Sequence, residues 1–234
     1  MSFSFDPIGV IHSCFKDKFG VPRQPGLVAA ARGQLELFPP YNRAEAWVGI
    51  EGFSHLWIHF VFHQCLREAP SLTVRPPRLG GNQRLGVFAT RATFRPNPLG
   101  LSVVALERVE RVGDKVTLHL EGIDLVEGTP VLDVKPYIPY VDAIPDARAG
   151  FAREAPAQQL GVVFSENATA ELHRWEQRWP GLRALIEGGV GLDPRPAYLK
   201  QRDQGKSFAL RLYDLDIRWQ CGSDNAVVTE IRPV

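Results

Sequence analysis

The sequence predicts a mainly β protein, with a principal domain made of one curled or closed sheet and a small α+β appendage at its C-terminal end. Three observations carry that expectation. Short runs rich in β-branched and aromatic residues, punctuated by Gly and Pro, fill the first two thirds of the 234-residue chain. Lys115-Val116-Thr117-Leu118-His119-Leu120-Glu121 alternates polar and apolar residues with the period of a strand buried on one face. No strand-like run there leads into a long amphipathic helix, so the strand-helix-strand unit of a doubly wound sheet is missing.

In chain order, Ile8 to Ile11, Gln34 to Phe38, Phe53 to Phe62, Gly86 to Thr90, Leu101 to Val112, Lys115 to Glu121 and Val131 to Val134 read as strands. Val112-Gly113-Asp114-Lys115 reads as the hairpin turn between two of them. From Asp142 through Pro145 to Pro156 the composition shifts to Ala, Pro, Asp and Arg, a connector. The expected domains are therefore 1–158 and 159–234. In the second, Ser165 caps a helix whose Leu172, Trp175 and Trp179 form one apolar stripe, stopped or restarted at Pro180. Ser207 to Tyr213, Ile217 to Gln220 and Val227 to Ile231 read as three short strands. Gly189-Val190-Gly191 reads as a helix-terminating loop, because Pro194 stands where a dinucleotide-binding fingerprint needs its third glycine.

The apolar share of 44% is that of an ordinary globular protein. With 27 basic against 26 acidic residues the whole-chain field is weak, so affinity for nucleic acid has to come from a local cluster. Cys14, Cys65 and Cys221 are odd in number and lack any CxxC pair, which argues against a disulfide framework or a zinc site and for reduced thiols in a cytoplasm. The start of the chain has neither a basic leader nor a long apolar core, and the apolar run from Leu56 to Phe62 is too short to span a bilayer. A soluble protein with no membrane partner is expected.

Four stretches have the makings of a site. In Val21-Pro22-Arg23-Gln24-Pro25-Gly26-Leu27, two prolines fix the backbone around an Arg-Gln pair and Gly26 permits a tight turn. In the run from Phe53 to Gln64, His55, His59 and His63 recur every fourth residue, which on a helix would make a metal face. The surrounding Trp, Ile, Phe and Val favour a strand, on which residues four apart lie roughly 13 Å from each other, too far for one shared ion. No metal is expected; His63 and Gln64 fall where the strand gives way to a loop, a usual place for ligand-facing groups.

From Val74 to Pro98 there is no acidic residue, while Arg75, Arg78, Arg84, Arg91 and Arg95 make a local positive field suited to phosphate or carboxylate oxygens. Arg95-Pro96-Asn97-Pro98 adds rigidity around Asn97. Last, Gly122 to Tyr137 sets Asp124, Glu127 and Asp133, with Lys135, around a Gly-Thr-Pro turn, so that several charges converge at a strand end.

Taken together, PRQPGL, FSHLWIHFVFHQ, RPPRLGGN with GVFATRATFRPNPLGLS, and IDLVEGTPVLDVKPYIPY resemble the TrmO/TsaA family, earlier described only as YaeB-like, over about the first 140 residues. DPRPAYLK, from Asp193 to Lys200, is similar to the C-terminal extension of its bacterial branch. The resemblance implies a single-sheet β-barrel that binds S-adenosylmethionine (SAM), a homodimer, and methyl transfer to N6 of N6-threonylcarbamoyladenosine beside the anticodon of tRNA. It implies a cofactor pocket of Arg23, Gln24, Pro25, His63, Gln64, Arg91, Leu101, Asp124, Leu125, Val126, Glu127 and Gly128, reaching toward Asp133. Glu127 departs from the Asp common in the family.

The acceptor nitrogen is acylated, so its lone pair is delocalised and its proton must be removed or drawn away. His63, Asp124 and Asp133 are equal candidates for that base. Arg91 or Arg95 can hold the carboxylate of SAM or that of the threonyl group. The tRNA is expected on Arg75, Arg78, Arg84, Arg95 and Asn97, and on a C-terminal basic segment with Arg195, Lys200, Arg202 and Lys206. A SAM-dependent enzyme with another acceptor, and a non-catalytic RNA-binding adaptor, are the alternative readings.

Overall fold

Alternation of inward apolar and outward polar side chains shapes the principal sheet. The computed structural model describes residues 3–69, 71–156, 160–195, 206–222 and 225–234. Strands β1 (Gly9–Ser13), β2 (Arg32–Leu37) and β3 (His55–Val61) are followed by a short pair, β4 (Thr73–Val74) and β5 (Leu85–Gly86), then by β6 (Leu99–Val112), β7 (Lys115–Glu121) and β8 (Thr129–Pro136). In the order β1-β2-β7-β6-β3-β8 they form a closed barrel. Leu35 and Leu37 of β2, Leu56, Ile58 and Phe60 of β3, and Val116, Leu118 and Leu120 of β7 are buried. Burial of each contributes roughly 1.5–3 kcal/mol, and this interior holds the barrel together.

Two details of the sheet position the site. Gly100 of β6 lies opposite Phe60 of β3, and a Cβ there would stand 2.2 Å from the Phe60 ring, so glycine clears the space the ring fills. The register between β3 and β8 slips between His59 and Phe60, a bulge that bends the sheet at this end. The hairpin expected at Gly113-Asp114 is present, with Val112 opposite Lys115. The strand expected from Gly86 to Thr90 is not: only Leu85 and Gly86 pair, with Val74 and Thr73, and Val87–Ala89 turns into a 3-10 helix. Val87 N–H donates to Leu72 C=O and Thr90 N–H to Val87 C=O, a local turn that replaces further strand pairing.

After β8 come α1 (Pro139–Asp142), β9 (Gly161–Phe164), α2 (Glu166–Glu176), α3 (Leu182–Gly191), β10 (Ser207–Leu212), β11 (Leu215–Cys221) and β12 (Asn225–Pro233). The sheet order is β10-β11-β12-β9, with β9 parallel to β12 and the other pairs antiparallel. Its core includes Trp219, Leu212, Ile217, Val228, Leu172 and Ile186. Ser165 caps α2 as expected, its side chain accepting from Ala168 N–H. The stripe does not extend to Trp179, because α2 ends at Glu176; Trp179 sits in the turn beyond, stacked on Tyr213 with ring centroids 4.0 Å apart. Gly189-Val190-Gly191 is the last turn of α3 and not a loop. Gly188, in the same helix, faces Val28, whose side chain would stand 2.8 Å from an added Cβ.

The chain folds as two compact units whose limits are not linear in sequence. The barrel unit takes the chain up to His12, Gly33–Glu121 and Gly128–Arg153. The other joins Ser13–Arg32 and Gly122–Glu127 to Glu154–Val234. The link between Ser13–Arg32 and the C-terminal sheet is backbone pairing: Phe15 bridges Leu212, and Tyr213 N–H donates to Cys14 C=O.

Candidate active site

Antiparallel pairing decides which barrel residues meet. Val61 lies opposite Leu99 and Phe60 opposite Val131, so the end of β3 and the starts of β6 and β8 share one end of the barrel. His63 and Gln64, just past β3, thus meet Asn97-Pro98, just before β6, and Gly128, just before β8. Phe62 N–H donates to Pro98 C=O at 2.8 Å, and Leu99 N–H to Asn97 C=O at 2.7 Å, fixing the turn. Gly128 has φ 76°, the left-handed region that glycine occupies at no steric cost. Its Cβ direction points at His63, whose Nε2 lies 4.0 Å from the position an added Cβ would take. His63 opens a 3-10 turn anchored by buried Cys65, so its ring is half-buried on a fixed backbone.

Leu101, His59 and Asp133 form one cross-strand row on the outer wall of the barrel. Leu101 is 48% exposed. Asp133 points outward with its side chain about half exposed, and its Oδ2 accepts from Lys135 Nζ at 2.9 Å. His55 and His59 are strand residues, and among the described residues no cluster of His, Cys, Asp and Glu is arranged to hold a metal ion.

The basic stretch is a small arm on the β4-β5 pair. Arg75, Arg78, Arg84 and Arg91 are exposed, as is Asn97. Arg95 is different: its guanidinium turns back to donate to Thr90 C=O at 3.1 Å and Ala92 C=O at 3.3 Å, holding the base of the arm. Arg67 lies over the Phe94 ring at 3.9 Å, a cation-π contact that sequence reasoning missed.

In the second unit the remaining candidates occupy two loops that touch. Gly26 N–H donates to Gly122 C=O at 2.8 Å, which ties Arg23-Gln24-Pro25 to the Gly122–Glu127 turn. Arg23 is exposed over buried Pro22. Within the turn, Leu125 is buried and its carbonyl accepts from Ser13 Oγ at 2.6 Å; Asp124 and Val126 are half-buried. Glu127 Oε2 accepts from both Ser13 N–H (2.6 Å) and Lys16 Nζ (2.8 Å), so the carboxylate clasps the 13–16 segment. Ser13 and Lys16 were not among the expected site residues. Neighbouring Cys14 is buried, which pushes its thiol up to about 12 and leaves it neutral and unreactive.

The structure thus brings His63, Gln64, Asn97 and Gly128 to one end of the barrel, sets Leu101 in the outer-wall row with Asp133, and carries Arg23 to Pro25 with Asp124 to Glu127 on the second unit. Arg195 is turned inward, 4% exposed, with Nε 2.7 Å from Asp193 Oδ1, so its guanidinium is engaged internally and not presented at the surface. Lys200 and Arg202 lie outside the described residues. Two pockets among the described residues lie away from the barrel cluster. One of about 290 Å³ opens on the outer wall between β2 and β7, lined by His12, Glu36, Phe38 and Lys115. Another of about 50 Å³ beside Arg23, Leu27 and Leu192 is too small for a nucleoside cofactor.

Comparison with known proteins gives consistent matches. Residues 10–143 match the model for the N-terminal domain of tRNA-methyltransferase O, and residues 157–234 that for the TrmO C-terminal domain. The chain is 50% identical over 232 residues, 99% of both chains, to the Escherichia coli protein named tRNA (adenine(37)-N6)-methyltransferase. It is 53% identical over 220 residues, 94% of this chain and 93% of the other, to a Pseudomonas aeruginosa protein whose name describes S-adenosylmethionine-dependent methyl transfer. A crystal structure of TrmO from Pseudomonas aeruginosa superposes with a TM-score of 0.83 at 44% identity, covering 100% of this chain and 98% of that one.

Proposed function

The chain belongs to the TrmO family, and from that premise we infer that it is a SAM-dependent methyltransferase acting on N6 of adenine 37 of tRNA. The acceptor we assign is N6-threonylcarbamoyladenosine, whose carboxylate suits the acid-free arginine arm. The observation that carries the reading is the barrel corner where His63 Nε2 faces the side-chain-free surface of Gly128.

That corner has the open backbone approach a bulky cofactor requires. His63, Gln64, Leu101 and Gly128 are the barrel residues proposed to hold it, with Arg91 proposed for its carboxylate. For Arg23, Gln24, Pro25 and Asp124 to Glu127, cofactor contact is proposed from the likeness of their loops to those of the family, supported by the Gly26 to Gly122 hydrogen bond. Bound SAM supplies an activated methyl group, which leaves the chain to align the acceptor and manage its proton. We assign the proton to His63 Nε2. Asp133 is engaged by Lys135 on the outer wall, whereas His63 stands at the corner itself. A second copy of the chain is proposed to pack on the barrel. The buried thiols of Cys14, Cys65 and Cys221 fit a reducing cytoplasm, and no helix among the described residues is long and apolar enough to cross a membrane.

The test is methyl transfer from SAM to tRNA with and without the threonylcarbamoyl group, read by nucleoside mass spectrometry. The methylated nucleoside is expected only with the group present. His63→Ala is expected to lower kcat by about 10²- to 10⁴-fold, the range for loss of a general base. Equal methylation of both tRNAs, or none, refutes the assignment of acceptor; an unchanged kcat removes His63.

A further inference from the structure

The arm carries an aromatic side chain that the methyl-transfer reading does not use. Phe88 is 75% exposed, between Val87, which is 1% exposed, and Ala89. The backbone beneath it is fixed: Val87 N–H donates to Leu72 C=O at 2.9 Å, Thr90 N–H and Oγ1 both bond Val87 C=O, and Arg95 clasps Thr90 and Ala92 from below. A rigid turn therefore holds a bare phenyl ring in water. Leu72, whose carbonyl takes the Val87 N–H, is itself 70% exposed. The same stretch of chain, Val74 to Pro98, carries Arg75, Arg78, Arg84 and Arg91, all exposed, and no carboxylate.

Scattered surface apolar residues are normal and by themselves say nothing. An exposed aromatic ring on a hydrogen-bonded turn, within a stretch of chain that carries arginines and no acid, is a different combination. It is the pairing found where single-stranded nucleic acid binds: guanidinium groups for the phosphates and a ring face for an unpaired base. A protein partner would need acidic side chains for the arginines yet would gain little from one lone ring, whereas a looped RNA strand offers phosphate and base together.

We propose that Phe88 is a stacking platform for an unpaired base of the tRNA anticodon loop, with Arg84 holding a flanking phosphate. The inference rests on the tRNA assignment above and adds how the loop is gripped. Stacking releases no counterions, so its loss leaves the salt dependence of binding unchanged, while loss of a phosphate contact lowers the slope by about 0.7.

The experiment measures binding of the full-length protein to a synthetic anticodon stem-loop carrying threonylcarbamoyladenosine, over a series of salt concentrations, alongside SAM affinity. Phe88→Ala and Phe88→Leu are expected to weaken RNA binding roughly 5- to 150-fold, the range for one lost base-aromatic stack, with the salt slope and SAM affinity unchanged. Phe88→Trp is expected to bind at least as well as the parent, and Arg84→Ala to reduce the slope. If Phe88→Ala or Phe88→Leu binds like the parent while the parent still methylates tRNA, stacking is wrong and the enzyme assignment stands. A reduced slope in Phe88→Ala also overturns stacking. If the parent does not bind the stem-loop at all, both fall.

Discussion

Glu127 shows how one side chain can fix the turn on which it stands. Its Oε2 takes two donors, Ser13 N–H and Lys16 Nζ, and its own N–H donates to Phe15 C=O, so the turn that carries Asp124 to Glu127 is pinned to the 13–16 segment. Both side chains of the ion pair are about one third exposed, so solvent screens part of the attraction. We expect Glu127→Ala to lower stability by about 1–2 kcal/mol in urea unfolding and to weaken SAM binding, with Glu127→Gln retaining part of both. Parent-like stability and SAM affinity in Glu127→Ala would show that the clasp contributes nothing. Sequence alone pointed to Glu127 as a ligand-facing residue and was silent on Lys16, because the two lie 111 positions apart and no local pattern links them.

Among elements, α1 is a four-residue helix held to the barrel wall through one carboxylate. Asp142 Oδ2 accepts from Ile138 N–H at 2.8 Å and from Trp57 Nε1 at 3.0 Å, and these two donors, the backbone one first, hold its carboxyl below the ordinary value of 3.8. A depressed carboxyl pKa means that the unfolded chain binds the proton more readily. The contribution is therefore fully present above the unfolded value and fades as pH falls through the folded one. In acid unfolding followed by circular dichroism, Asp142→Asn is expected to sit a constant distance below the parent above about pH 4, a gap that closes at lower pH. A gap that stays constant down to the lowest pH would show that Asp142 is not the titrating group. The barrel strands were legible because each strongly alternates, as β7 does, or is rich in β-branched and aromatic residues, as β3 is. The arm was not: Gly86 to Thr90 has strand composition, but its hydrogen bonds close a local turn, and α3 and β9 lacked a signal strong enough to stand apart from the Gly- and Pro-rich chain around them.

For the molecule as a whole, closure of the barrel decides how copies can associate. Ser13–Arg32 and Gly122–Glu127 fold with the C-terminal sheet, which the sequence does not reveal, since backbone pairing such as Phe15 with Leu212 leaves no trace in composition. A closed sheet has no free edge for strand addition, so a symmetric pair on the barrel has to form through side chains on its outer wall. The outer row of β3 and β6 offers them: Trp57 opposite Val103, His59 opposite Leu101 and Val61 opposite Leu99, with Leu99 50% and Leu101 48% exposed. Further along β6 the exposed residues from Glu107 to Arg111 are all charged, Glu107, Arg108, Glu110 and Arg111, which separates the apolar strip from exposed Val112 at the hairpin. A two-fold contact across this strip would bury both leucines of each copy and bring the partner against the His63 corner. In sedimentation velocity the parent is expected to run as a dimer, and the double variant Leu99→Glu/Leu101→Glu as a monomer of 26.1 kDa with its thermal unfolding cooperative. Thr117→Glu, on β7 beside the charged stretch of β6 where Thr117 lies opposite Glu110, is expected to leave the dimer intact. A parent that sediments as a monomer refutes the dimer, and a double variant that still dimerises moves the interface to another face.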